Sequence, residues 1–122
     1  MATPPVPEMP TPQAQIKKLV ELVGPTLAAL TTGAPKRAIV EDWVDGSTTP
    51  DDSQCERAAL ALEMLGAITK HESAAVARQW FIGANTFVEG VDEEMAPALA
   101  IREGHYSEVR TSAAECIADT WS

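Results

Sequence analysis

From Gln13 onward apolar residues recur at three- and four-residue spacing, the period of helices with one buried face. Ile16, Leu19, Val20 and Val23 share a face, Lys17 and Lys18 lie opposite, and Gly24 ends the run. Pro25 suits the first turn of a short second helix, Thr26–Thr31, with Leu27 and Leu30 inward. Gly33 is the natural turn residue. Pro35 suits the first turn of a third helix running to about Val44, striped by Ile39, Val40 and Trp43. Gly46 closes it, and Ser47–Pro50 reads as a loop. Asp51 or Asp52 caps a long helix through about Thr69, with Leu60, Met64, Leu65 and Ile68 apolar. Ser73 caps the next, which carries Val76, Trp80 and Phe81. Gly83–Asp92 reads as a loop, Pro97–Arg102 as a short helix stopped by Gly104, and Tyr106–Asp119 as a last helix burying Val109, Ala113 and Ile117. No run alternates with the period of a strand, so the expected fold is all-α.

Composition agrees with that pattern. Apolar residues make up 45% of the chain and aromatics only 5%, which favours close helix packing over a β-sandwich. The 122 residues suffice for one compact domain, or for two small helical subdomains sharing a core. We divide them into a leader (1–12), a first unit (13–70) and a second unit (71–122). The leader holds five of the nine prolines and is expected to be disordered or extended. No stretch of about 18 apolar residues occurs, so no membrane span is expected. The first residues lack a basic start followed by an apolar run, so no secretory signal is expected either. Cys55 and Cys116 sit among small apolar neighbours and read as reduced core thiols, pointing to the cytoplasm.

The net charge is −9 and unevenly spread. Residues 1–70 carry six basic and nine acidic side chains, net −3; residues 71–122 carry three and nine, net −6. An acidic molecule repels phosphates overall, but screening over about 8–10 Å lets a local basic patch act.

Such a patch opens the third helix. Two short helices joined by a glycine turn are what a helix-turn-helix requires, the second presenting its start to the major groove of double-stranded DNA. Ala28 and Ala29 permit close approach of the pair, and Trp43 anchors the second helix. Lys36 and Arg37 stand at its start, where side chains and backbone N–H groups meet phosphates or guanine edges. Ala38, Glu41 and Thr48 complete the candidate DNA-facing set. Glu41, Asp42 and Asp45, however, place acid where phosphates would lie. The residues thus leave two readings: a DNA-binding hairpin, or one that kept the fold and lost the DNA.

The run Val40-Glu-Asp-Trp43-Val-Asp-Gly46-Ser-Thr-Thr-Pro50 resembles the end of the second helix in Xre-type, lambda-repressor-like helix-turn-helix domains. Downstream, Trp80, Asn85, Pro97, Ile101, Arg102, Gly104 and Val109 occupy positions resembling the C-terminal toxin-binding domain of the Xre/MbcA/ParS-like antitoxin family. The two modules also stand in that family's order. The resemblance implies a bifunctional, typically dimeric antitoxin. Its second module would occlude a RES-type toxin that consumes NAD, and its first would bind the promoter of its own operon. Trp80, Phe81, Asn85, Phe87, Arg102 and Trp121 are the candidate toxin contacts. Trp121 has two readings, inserted into the toxin's cleft or packed back on its own lobe.

Little suggests catalysis. His71 and His105 lack ligand-spaced neighbours and read as solvated helix-end residues, so no metal or cofactor is expected. Glu93-Glu94 reads as a solvated charge run rather than an acid/base pair. No glycine-rich phosphate loop occurs, and no serine or cysteine has a motif-borne base. The rivals to an antitoxin are a solitary, possibly phage-borne, transcriptional regulator and a protein-binding adaptor whose degenerate helix-turn-helix serves dimerisation.

Overall fold

A computed structural model describes residues 11–83 and 96–121, with side chains described as far as residue 117. The described residues form seven helices and no strand: α1 (Pro12–Val23), α2 (Pro25–Thr32), α3 (Arg37–Asp45), α4 (Asp52–His71), α5 (Ala74–Ile82), α6 (Pro97–Arg102) and α7 (Tyr106–Trp121). The all-α expectation holds. Thr11 accepts from the Ala14 N–H and Pro12 opens α1, so the last residue of the expected leader lies in the first helix and the one before it is its cap. Residues 1–10 lie outside the described residues.

Helix α4 is the spine. It packs against α1, α2, α5, α6 and α7, and it buries Ala58, Leu60, Ala61, Met64, Leu65 and Ile68. Its start is fixed by a reciprocal cap: the Gln54 N–H donates to Asp51, and the Asp51 N–H donates to the Gln54 side chain, each at 2.8 Å. Because α4 serves both halves, Ile16, Leu19, Val40 and Trp43 join Trp80, Phe81, Ile101 and Val109 in one apolar cluster. Burial of a side chain such as Phe81 stabilises by roughly 1.5–3 kcal/mol.

Two local expectations change. Helix α2 buries Ala28, Ala29, Thr31 and Thr32 and leaves Leu27 and Leu30 half-buried. It touches α1, α3, α4 and α6, and on its crowded side only small residues let so many helices approach. The third helix begins at Arg37, with Pro35 outside it, because Lys36 is extended (φ −162°, ψ 160°). The two cysteines are thiols with no disulfide between them, half-buried rather than in the core. No helix among the described residues is long and apolar enough to cross a membrane.

Candidate nucleic-acid interface

The turn between α2 and α3 is assembled from both of its ends. The buried Thr31 and Thr32 hydroxyls donate back to the carbonyls of Leu27 (2.8 Å) and Ala28 (2.7 Å), so neither polar group is orphaned. Gly33 is left-handed (φ 84°, ψ 18°), and the N–H groups of Gly33 and Ala34 both close on the Ala29 carbonyl. Arg57 reaches over from α4, and its Nη1 donates to the Thr32 carbonyl at 2.9 Å. A Cβ placed on Gly33 would lie 2.8 Å from that same Nη1. The backbone angle favours glycine here, and a side chain would have to push the end of Arg57 aside. The guanidinium covers the negative end of α2 and pins the turn to the spine. Sequence spacing gives no sign of Arg57, since one arginine on a long helix carries no periodic signal that it will reach back 25 residues.

Helix α3 is held by Val40 and Trp43, which are 0% and 3% exposed. Lys36, Arg37, Ala38 and Glu41 stand on its exposed surface. Lys36 is the N-cap and makes no capping hydrogen bond. By contrast, Thr11, Asp51 and Ser73 at the starts of α1, α4 and α5 each accept from the N–H three residues on. The first turn of α3 thus lacks a side-chain cap and faces solvent beside two cations, an arrangement suited to an anion.

The basic end has an acidic neighbour. Arg37 Nε donates to Glu41 Oε1 at 3.0 Å, with the two side chains 62% and 56% exposed. An exposed pair of this spacing contributes about 0.3–0.5 kcal/mol, so a phosphate can displace the carboxylate at little cost. Asp45 is exposed further along, and Asp42 is half-buried. Thr48 is exposed past the far end of α3, where its N–H turns back to the Asp42 carbonyl. The structure therefore brings Lys36, Arg37, Ala38 and Glu41 together and holds Thr48 apart.

The candidate partner residues divide differently. Trp80 and Phe81 are 6% and 0% exposed, and Trp80 Nε1 donates to the buried Ser112 Oγ at 3.1 Å. Both rings, expected as partner contacts, are buried in the core cluster, and the Trp80 hydrogen bond joins α5 to α7. Arg102 is exposed at the end of α6. Asn85, Phe87 and the Trp121 side chain lie outside the described residues. Burial pushes the Cys55 thiol up, helped by the carboxylates of Asp52 and Asp51, which keeps it protonated and a poor nucleophile. His71 is exposed and His105 half-buried, and among the described residues no three His, Cys, Asp or Glu side chains gather as a metal site.

The comparisons with known proteins leave these residues to speak for themselves: no family model, curated protein or solved structure matches the chain.

Proposed function

We propose that this chain is a DNA-binding, antitoxin-like protein. In this reading α3 enters the major groove of double-stranded operator DNA start first, and residues 71–122 hold a RES-type toxin. The uncapped, solvent-open start of α3 carries the proposal, with Lys36 and Arg37 beside it and the pinned Gly33 turn behind it. Phosphate oxygens would accept from the Arg37 and Ala38 N–H groups and from Lys36, the Ile39 N–H being held by the Lys36 carbonyl. Arg37 would exchange Glu41 for a phosphate or a guanine edge. The net charge of −9 makes such binding depend on this local patch, and so on salt. The toxin half rests on the sequence resemblance, and Arg102 is its one exposed candidate residue among the described residues.

The test is binding to DNA from upstream of the chain's own gene, measured by fluorescence anisotropy over a range of salt. Lys36→Glu with Arg37→Glu is expected to lower affinity at least tenfold and to flatten the log–log salt slope by about 0.9 for each phosphate that is no longer neutralised. Unchanged, salt-insensitive binding removes the DNA half. For the toxin half, co-expression with a RES-domain protein encoded beside the gene is expected to prevent NAD loss; unprotected NAD removes it.

One observation favours a second reading, in which α3 is a protein-binding face. The Arg37–Glu41 pair and Asp45 make its exposed side mixed in charge, which suits a protein partner better than a polyanion. Operator binding indifferent to the double reversal, with retained protein binding, selects that adaptor role.

A further inference from the structure

A groove of about 450 Å³ runs between α1 and α4, lined by Lys18 and Leu22 from the first helix and by Leu62, Gly66, Thr69 and Lys70 from the second. We propose that it is the docking site for an acidic amphipathic helix of a partner protein. None of these residues lies on α3 or in the segment assigned to the toxin, so the proposal stands apart from both halves of the preceding one.

Gly66 points to an occupant beyond the described residues. It sits in the interior of α4, where glycine costs about 1 kcal/mol relative to alanine. Its backbone is ordinary helix, and a Cβ built on it would meet nothing within 4 Å. Nothing in the described chain uses the missing side chain. A second backbone crossing α4 at this position would, because a glycine lets two helices approach more closely than any side chain allows.

The lining then specifies the chemistry. Leu22 and Leu62 are half-buried and form an apolar floor along two packed helices, the shape that receives the ridge of a third. Lys18 and Lys70 are both exposed and stand on opposite walls, and no carboxylate among the described residues lines the groove. In a chain of net charge −9 this is a local reversal of sign. A helix with a row of Leu or Met and carboxylates on both flanks would bury its row on the leucines and set one flank against each lysine. The ammonium groups contribute mainly orientation and encounter rate, and the apolar row contributes the affinity. A second copy of this chain fits less well, because an isologous contact would set Lys18 and Lys70 against the same two lysines of its partner.

The test is a heteronuclear NMR titration of the full ¹⁵N-labelled chain with a synthetic Leu/Glu amphipathic peptide of about five helical turns. Two control peptides accompany it, one with Lys for Glu and one interrupted by proline. Saturable shifts at Leu22, Leu62 and Gly66 with the Glu peptide alone are expected. Gly66→Leu, which has room to fold, is expected to weaken binding at least tenfold without lowering the melting temperature. Lys18→Glu with Lys70→Glu is expected to exchange the Glu peptide for the Lys peptide. No saturable shift in the groove overturns the proposal, and so does equal binding of the proline peptide, which marks an extended occupant. Groove shifts that track protein concentration alone and vanish in Gly66→Leu overturn it too, by naming a second copy as the occupant.

Discussion

Helices α2 and α6 are short, each opens on a proline, and each is followed by a glycine at positive φ, 84° at Gly33 and 88° at Gly104. Each hands the chain to a longer helix, and the two short helices pack against one another. The pairs diverge at the next residues. Beyond Gly33 the chain enters α3 through Lys36 and Arg37 with no side-chain cap, whereas beyond Gly104 it enters α7 with Glu108 in the first turn. The acid at α7 already complements the positive end of its helix; the cations at α3 leave that complement to come from outside. The glycines differ as well, since Gly33 lies under Arg57 while a Cβ on Gly104 would meet nothing within 4 Å. The same backbone device thus leads into a helix with an acid in its first turn in one place and into an uncapped helix start beside two cations in the other.

The comparison can be broken at several points. The largest effect belongs to the anchor of α3: Trp43→Ala is expected to cost about 3–5 kcal/mol in urea denaturation. A loss below about 1 kcal/mol would mean that α3 is not held by its tryptophan. Next come the glycines. Gly104→Ala is expected to cost about 1–2 kcal/mol for its left-handed backbone, and Gly33→Ala about 1–2 kcal/mol more because Arg57 must move off the Thr32 carbonyl. Equal losses would show that Arg57 does not pin the turn.

The helix starts sharpen the contrast. Asp51→Ala is expected to cost about 1 kcal/mol, while Lys36→Ser, which supplies a cap, is expected to add about 0.5 kcal/mol of stability and to weaken operator binding. Stabilisation without loss of binding would separate the cap from the site. The smallest effect is at Glu63, whose carboxyl is held below the usual carboxylate range by the hydrogen bond from Arg110 at 2.9 Å. A lowered pKa gives stability that is present above the unfolded-state pKa and lost as pH falls through the folded-state value. Both side chains are about half exposed, 51% for Arg110 and 55% for Glu63, so Glu63→Gln is expected to cost below about 1 kcal/mol at neutral pH and nothing in acid. A pH-independent cost would exclude the ion pair as its source.

Helix positions are legible in the sequence because caps and breakers are local. Ser73 at the start of α5, Pro97 at the start of α6 and the glycines at 24, 33 and 46 each act within one turn of themselves. The inward faces of α1, α4 and α7 are legible too, since each has room on one side for large apolar residues. Helix α2 defies its own spacing for the opposite reason: four helices crowd it, so small residues win the interior and Leu27 and Leu30 are pushed to its rim. At the candidate site, the glycine and proline before Lys36 and Arg37 suffice to place them at the start of a helix. Their pairing and exposure do not follow from those residues, and neither does Arg57.

What the chain order alone determined is the set of helices, their approximate ends and the clustering of cations at one of them, because these follow from contacts within a few residues. Tertiary packing decided that Trp80 and Phe81 are buried in the core, that Arg57 roofs the Gly33 turn, and that Leu22 and Leu62 share a groove flanked by lysines. Those outcomes depend on which helices meet, and on the shape of the space left between them, which residue spacing does not encode.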